Sequence, residues 1–334
     1  MIRRGGNSIV LLFITMAIAL AAASCSSPST PSVGEEFVVC SNSADQDNPA
    51  ICGDSLTWRD NRTGHDSIYG CSLSTGKEFP ICTEPCEHGH QLPDTSGDVV
   101  VWTDGRNYHI HDWEIFGYDL ATKTEFPICT NPTWQYAATI SEDIIVWGEY
   151  RRHNHDIYGY DLSTETEFPI CTDPATQFAP AISGDSVVWI DARNDNQDIY
   201  GYDFATETEF PICTDPTKQE APVVSGDIVV WEDYRNGNED IYAYSLSSKT
   251  EFPICTDLAH QRNPAISGDT VVWWDDRNAN YDIYGYSLSS KTEFPICTDP
   301  ASQWMPDVSG DTVVWQDFRE GHWDIYAIRL SVEE

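Results

Sequence analysis

The sequence predicts an all-β fold, and three features of the chain lead to that prediction. Seven times in 334 residues the chain repeats a unit that reads P-x-I-S-G-D-x-V-V-W-x-D-x-R-N-x-N-x-D-I-Y-G-Y-D-L-x-T-x-T-E-F-P-I-C-T-D-P-x-x-Q, with 42 to 45 residues between successive copies. Each unit contains short runs of β-branched and aromatic residues broken by Gly, Asp, Asn and Pro. No stretch has the apolar period of a helix. A period of this length predicts a seven-bladed β-propeller.

Each unit predicts one four-stranded blade. In the fourth unit "PAIS" (180–183) is the first strand and "SVVWI" (186–190) the second, joined by a tight Gly-Asp turn. "DIYGYDF" (198–204) is the third strand and "EFPIC" (209–213) the fourth. Both faces of a blade pack on neighbouring blades, so these strands need not alternate between apolar and polar residues.

One tryptophan recurs in every unit, and we expect it in the core. Burial of one indole contributes roughly 4–6 kcal/mol at ~25 cal/mol/Å², which is enough to hold adjoining blades together. The seven residues are Trp58, Trp102, Trp147, Trp189, Trp231, Trp273 and Trp315.

The two ends of the repeat region predict a closed ring. The seventh unit ends in "DIYAIRLSVEE" without the E-F-P-I-C-T strand, whereas an isolated "EEFVVC" (35–40) precedes the first unit. We expect Glu36–Cys40 to pair with Asp324–Leu330 and complete the last blade, which removes an open sheet edge.

The N-terminus predicts export. Two arginines precede an apolar run, Ile9–Ala23, which is too short to span a bilayer but typical of a secretory signal. The small residues that lead into Cys25 resemble a bacterial lipoprotein signal, although Ala22 stands where that family usually has leucine. Lipidation of Cys25 and ordinary cleavage after Ala23 both remain open. The predicted segments are a signal peptide (1–24), a tether (25–35) and the propeller (36–334).

The charge of the chain limits its partners. It has 18 basic and 54 acidic residues, a formal charge of −36. Nucleic acid and anionic lipid would be repelled, so a membrane contact is expected only through an N-terminal lipid anchor. We expect a monomeric propeller at the cell surface or outside the cell.

Cysteine also follows the repeat. Seven of the eleven cysteines share one position per unit, and outer strands of adjacent blades lie roughly 15–20 Å apart, too far for a disulfide. These seven are expected to be buried, unpaired apolar residues: Cys40, Cys82, Cys129, Cys171, Cys213, Cys255 and Cys297. A bridge between Cys52 and Cys71, or between Cys82 and Cys86, remains open.

The run "SGDIVVWEDYRNGNEDIYAYSLSSKTEFPICTD" (225–257) resembles the TolB-type β-propeller repeat. The resemblance covers residues 36–330, with a Ser-Gly-Asp turn in place of Ser-Pro-Asp-Gly and an added cysteine strand. It implies a binding or scaffolding module. Where such propellers are enzymes, the family places catalysis on unique loops or on an appended domain.

A single binding site requires residues that differ between the repeated units, and one position of the unit differs in this way. The residue after the repeated Gln should line the mouth of the central channel, and three tryptophans outside the repeated position should lie nearby. Aromatic side chains beside carboxylates suit sugar rings or cationic groups, although they can equally pack on adjacent loops. The candidate residues are Tyr136, Phe178, Glu220, Arg262, Trp304, Trp113, Trp134 and Trp323.

Pairs of histidines are a second feature that differs between the units. Three His-x-His pairs fall in loops of the second and third units, where imidazoles can bind Zn²⁺ or can simply be solvated. They are His88, His90, His109, His111, His153 and His155. The loop "DARNDNQD" (191–198) offers oxygen ligands for Ca²⁺, but its arginine favours a structural Arg–carboxylate clamp.

No recognisable catalytic motif accompanies the repeat. The sequence predicts no catalytic residue and no required cofactor. It predicts an exported, cell-surface propeller that binds carbohydrate or protein. The alternative is an extracellular polysaccharide hydrolase or lyase.

Overall fold

The computed structural model describes residues 31–85, 89–107, 113–151 and 153–331. Within these ranges the chain forms 29 β-strands and no helix, arranged as seven antiparallel sheets. Six sheets follow the order of their strands in the chain, and in the seventh the two N-terminal strands pair with the last strand. The innermost strand of each sheet packs against those of its neighbours around a central channel. The all-β, seven-bladed prediction is confirmed.

The strand bounds repeat from blade to blade. Blade 1 contains β3 (Gln46–Cys52), β4 (Ser55–Asp60), β5 (Ser67–Ser72) and β6 (Lys77–Cys82). Blade 2 contains β7 (His90–Ser96), β8 (Val99–Asp104), β9 (Glu114–Asp119) and β10 (Thr124–Cys129). Blade 3 contains β11 (Trp134–Ser141), β12 (Ile144–Arg151), β13 (Asn154–Asp161) and β14 (Thr166–Cys171). Blade 4 contains β15 (Gln177–Ser183), β16 (Ser186–Asp191), β17 (Asp198–Asp203) and β18 (Thr208–Cys213).

The remaining blades follow the same plan. Blade 5 contains β19 (Gln219–Ser225), β20 (Ile228–Asp233), β21 (Asp240–Ser245) and β22 (Thr250–Cys255). Blade 6 contains β23 (Gln261–Ser267), β24 (Thr270–Asp275), β25 (Asp282–Ser287) and β26 (Thr292–Cys297). Blade 7 contains β27 (Gln303–Ser309), β28 (Thr312–Asp317) and β29 (Asp324–Ser331), together with the N-terminal β1 (Ser32–Val33) and β2 (Phe37–Cys40).

The repeated tryptophans lie between blades. All seven are fully buried. Trp231 of blade 5, for example, packs in one cluster with Val188, Ile199 and Cys213 of blade 4. Its Nε1 donates a hydrogen bond of 2.9 Å to Asp233. The indole therefore fills the space between two sheets while its one polar atom stays satisfied, as a buried Trp requires.

The N-terminal segment closes the ring. Phe37 pairs with Ala327 and Cys40 with Ile325, which is the register that the fourth strand adopts in the other blades. Ser32 and Val33, which precede this strand, continue the pairing along β29. The backbone hydrogen bonds of this pairing cover the edge of β29, which would otherwise be exposed.

Every cysteine of the described residues is a free thiol, Cys52, Cys71 and Cys82 included. The described residues contain no helix long and apolar enough to cross a membrane. The predicted signal peptide, with Cys25, lies outside the described ranges, as does Cys86.

Candidate functional site

One face of the ring, called the rim here, carries the loops between blades and the loops between second and third strands. Backbone hydrogen bonds hold these loops together: Gln219 N donates to Gln197 O of the preceding blade, and Tyr234 N donates to Lys218 O. Two kinds of residue reach this rim, those of a repeated clamp and those that differ from blade to blade.

The repeated clamp is structural. In blade 4 Arg193 forms an ion pair with Asp191, with Nη2 and Oδ2 2.6 Å apart, and a second with Glu209 of the fourth strand. Its guanidinium lies 4.2 Å from the centre of the Tyr200 ring. Asp198 instead accepts a hydrogen bond from Asn194. Arg193 and Asn194 therefore hold Asp191 and Asp198 in place, which favours the structural-clamp interpretation of the loop 191–198.

In six of the seven blades the clamp arginine also contacts the repeated cysteine of the preceding blade. Arg193 Nη2 lies 3.5 Å from Cys171 Sγ, and Arg235 Nη2 lies 3.3 Å from Cys213 Sγ. The repeated cysteine is therefore more than an apolar filler, since its sulfur accepts a hydrogen bond across the blade interface. Burial raises the pKa of the Cys171 and Cys213 thiols to about 12, so they remain protonated at neutral pH.

The variable positions form cross-strand pairs at the channel mouth. The residue after the repeated Gln lies opposite the residue after the repeated Trp, so that Asp47 pairs with Arg59 and Glu220 with Glu232. Tyr136 lies over Gly148, where a Cβ atom would come within 2.5 Å of the Tyr ring. Only first members of these pairs were among the predicted binding residues. The second members directly follow the repeated Trp and differ as strongly between units, and this variability is the sequence feature that could have identified them. They are Arg59, Thr103, Gly148, Ile190, Glu232, Trp274 and Gln316.

Five aromatic side chains of blades 6 and 7 form one continuous cluster, called the aromatic platform here. Its ring centroids are 6.4 Å apart for Trp274 and Trp304, and 5.3 Å apart for Trp304 and Trp323. Tyr281 packs edge-on against both Trp274 and Trp304, and Phe318 contacts Trp323. Trp304 is 36% exposed and Phe318 42% exposed. Of the predicted rim residues, Trp304 and Trp323 meet here, with Arg262 5.5 Å from the Trp274 ring.

A cluster of acidic residues lies beside this platform on blade 5. Glu239 forms ion pairs with both His260 and Arg262, and Glu220 binds Lys218. Glu232 is 5% exposed and accepts a hydrogen bond from Asn263 N. Burial raises the pKa of Glu232 to about 7. This group can therefore hold or release a proton near neutral pH.

A third part of the rim lies between blades 2 and 3. Trp113, Trp134 and Tyr136 line a cavity of about 250 Å³ there, and Trp134 is 44% exposed. Tyr136 hydrogen-bonds to His155, with Oη and Nδ1 2.9 Å apart. Phe178, in blade 4, packs instead into the apolar core between blades 4 and 5. The predicted rim residues thus fall into separate groups around the ring.

The central channel is mostly apolar but holds two carboxylates. The inner strands enclose a cavity of about 480 Å³ lined by Ala, Pro, Ile and Val residues together with Asp94 and Asp307. Asp307 accepts a hydrogen bond of 2.8 Å from Ile51 N of blade 1. Burial, together with repulsion from Asp94, raises the pKa of Asp307 to about 7.

The predicted histidine cluster is only partly visible. His88, His109 and His111 lie outside the described ranges. His90 is buried against Cys82 and Asp104, and among the described residues this is the one group of three His, Cys, Asp or Glu ligand atoms that converge within 4.8 Å. His153 and His155 do not join that group. A donor set able to hold a divalent metal is therefore present, on one predicted histidine and two residues that were not predicted as ligands.

Comparisons with known proteins support the fold. No protein-family model and no curated protein sequence matches the chain. Among solved structures, an oligogalacturonate lyase in complex with manganese superposes with a TM-score of 0.68 at 14% identity, covering 91% of this chain and 96% of that one.

Two further structures share the architecture. The β-propeller domain of the Trilobed protease from Pyrococcus furiosus has a TM-score of 0.69 at 14% identity, covering 89% of this chain and 96% of that one. A TolB protein from Agrobacterium tumefaciens has a TM-score of 0.52 at 15% identity, covering 79% and 97%. The protein is therefore a seven-bladed β-propeller with a TolB-like fold.

Proposed function

We propose that this protein is exported to the cell surface, through a lipid anchor or by free secretion, and binds carbohydrate there without altering it. The observation that carries the proposal is the aromatic platform. Trp304 and Phe318 expose about two-fifths of their surface, while Trp274, Tyr281 and Trp323 pack against them. Flat, rigid aromatic faces suit stacking on the apolar face of a sugar ring, and they lose little side-chain entropy on binding.

The charge of the rim indicates which sugars are favoured. The chain has a formal charge of −36, and the basic side chains Lys218 and Arg262 are already paired with Glu220 and Glu239 of blade 5. An acidic polysaccharide would meet repulsion and few unpaired cations. We therefore expect neutral or amino sugars as ligands.

The test is a glycan array followed by calorimetry on any hit. We expect Trp304→Ala to weaken binding at least tenfold, because it removes the centre of the aromatic platform. Trp134→Ala is the matched control, since it removes another exposed rim tryptophan at blade 3 and should leave the affinity unchanged. An array without a neutral or amino-sugar hit, or equal affinity in Trp304→Ala and the wild type, would contradict the proposal.

A second candidate function is a polysaccharide hydrolase or lyase. Two observations favour it: the pKa of about 7 for Glu232 beside the aromatic platform, and the fold shared with an oligogalacturonate lyase. Incubating the protein with each array hit decides between the two functions. New reducing or unsaturated ends that disappear in Glu232→Gln would establish catalysis, whereas stable binding without products supports the binding module.

A further inference from the structure

We infer that Cys82 and His90 bind one divalent transition-metal ion of the zinc class in the interface between blades 1 and 2, with Asp104 orienting the imidazole. Cys82 is 2% exposed, and His90 and Asp104 are fully buried. The site belongs to blades other than those of the aromatic platform and does not depend on carbohydrate binding.

The blade 2 unit departs from the repeat at this place. His90 stands where each of the other six blades has a glutamine: Gln46, Gln135, Gln177, Gln219, Gln261 and Gln303. In blade 4 that glutamine donates through Nε2 to Ala175 O, two residues earlier. Eight positions separate Cys82 from His90, whereas six separate Cys171 from Gln177 and the corresponding pairs of the other blades. The interface is otherwise retained, because Trp102 and Arg106 still bind Asp104.

The donor geometry fits a shared metal. Cys82 Sγ and His90 Nε2 are 3.4 Å apart. Zinc bonds of about 2.3 Å to sulfur and about 2.0 Å to nitrogen at a tetrahedral angle place two such ligands roughly 3.5 Å apart. The Glu84 carbonyl oxygen lies 3.1 Å from Nε2 and is near enough to contribute, and water can complete the coordination.

Asp104 acts as a positioning residue. Its Oδ2 lies 3.0 Å from His90 Nδ1, on the side of the ring away from Cys82. Zinc-binding histidines commonly present their second nitrogen to a carboxylate in this way, which fixes the ring and leaves Nε2 as the ligand atom. Glutamine at the same position offers neither this relay nor a good ligand for zinc.

The charges of the site also balance. Arg106 Nη2 lies 3.5 Å from Cys82 Sγ, but Arg106 is already paired with Asp104 and Glu125. A Cys82 thiolate and these two carboxylates offset Arg106 and one divalent cation. As the metal–sulfur bond forms, the thiol releases its proton to solvent, and no oxidation or reduction takes place.

The experiment uses the full-length protein after chelator treatment, with Zn²⁺ measured by calorimetry and Co²⁺ as the spectroscopic probe. We expect one equivalent of metal and a thiolate-to-cobalt charge-transfer band. His90→Gln restores the residue of the other six blades and should fold, yet it should weaken metal binding at least tenfold. Cys82→Ser should abolish the band. Cys171→Ser, at the same repeat position of blade 4, is the matched control and should bind as the wild type does.

The inference would be overturned if the wild-type protein took up no Zn²⁺ or Co²⁺. It would also be overturned if the charge-transfer band persisted in Cys82→Ser, or if the metal affinity of His90→Gln equalled that of the wild type. Thermal melting of each metal-free variant separates loss of ligands from loss of folding. Failure of carbohydrate binding would leave this result unaffected, because the variants of the two experiments lie in different blades.

Discussion

Arg319 and Glu36 lie 283 positions apart in the chain, yet their side chains form an ion pair with Nη1 and Oε2 2.9 Å apart. The same pair joins Arg193 to Glu209 within blade 4, and an equivalent pair occurs in each of the other blades. Cys40 of the same N-terminal strand accepts a hydrogen bond from Arg62 of blade 1. The N-terminal segment therefore replaces the missing fourth strand in its side-chain chemistry as well as in its backbone pairing.

Deletion of residues 33–40 should lower the melting temperature by well over about 10 °C, because it exposes the β29 edge and leaves Arg319 without its Glu partner. Scanning calorimetry measures the shift. Glu36→Gln is the milder control and should cost only a few degrees, since this ion pair is partly exposed. An unchanged melt of the deletion variant would argue against ring closure by this segment.

The repeated cysteines outside the proposed metal site should be inert in the native protein. Burial raises the pKa of the Cys171, Cys213 and Cys255 thiols to about 12, and alkylation requires an accessible thiolate. We expect no labelling of these three by iodoacetamide at pH 8, and full labelling after denaturation, by peptide mass spectrometry. Cys52, which is only partly buried, should be modified first. Native labelling of Cys213 at the rate of Cys52 would show that the blade interfaces open readily.

Asp307 should make stability depend on pH. Its pKa is about 7 in the folded protein against an ordinary value of 3.8, so the folded state retains the proton longer than the unfolded chain does. The stability that this proton contributes is fully present below about pH 4 and is lost as the pH rises through 7. Asp307→Asn cannot ionise, so its melting temperature relative to wild type should rise between pH 5 and 8, and the corresponding gain in the free energy of unfolding is about 3 kcal/mol.

Asp227→Asn provides the control for this pH profile. A hydrogen bond from Ser245 lowers the pKa of Asp227, so its titration falls below pH 4 and adds only a constant offset between pH 5 and 8. A constant difference between Asp307→Asn and wild type over the same interval would show that Asp307 is ionised throughout.

The position of the Tyr136 ring should require a glycine at position 148. An added Cβ at this position would lie within 2.5 Å of the Tyr136 ring, whose hydroxyl is fixed by His155. We expect Gly148→Ala to destabilise the fold by about 1–3 kcal/mol in urea unfolding, as overpacking commonly does. The double variant Gly148→Ala/Tyr136→Ala should cost less than the sum of the two single changes. Strict additivity would show that the two residues do not interact.

The local structure of a blade was largely predictable. The predicted strand 209–213 corresponds to β18, and 186–190 to β16, each within one residue at either end. The predicted first strand, 180–183, begins three residues late, because β15 starts at Gln177. Ala179 has a positive φ of 50° beside a register shift, so a bulge interrupts β15, and the predicted strand 180–183 covers only the part that follows it.

The number of blades, the buried tryptophans and the segment that closes the ring could all be predicted from the amino-acid sequence, because each follows from a period that repeats along one chain. Which side chains meet between blades became visible only in the folded protein. Trp274 joins Trp304 and Trp323, Arg235 reaches Cys213, and His90 lies on Cys82, although each pair or group spans units that the repeat treats as independent. Such contacts depend on the distance and angle between neighbouring sheets, and the residue pattern of a single unit does not predict these quantities.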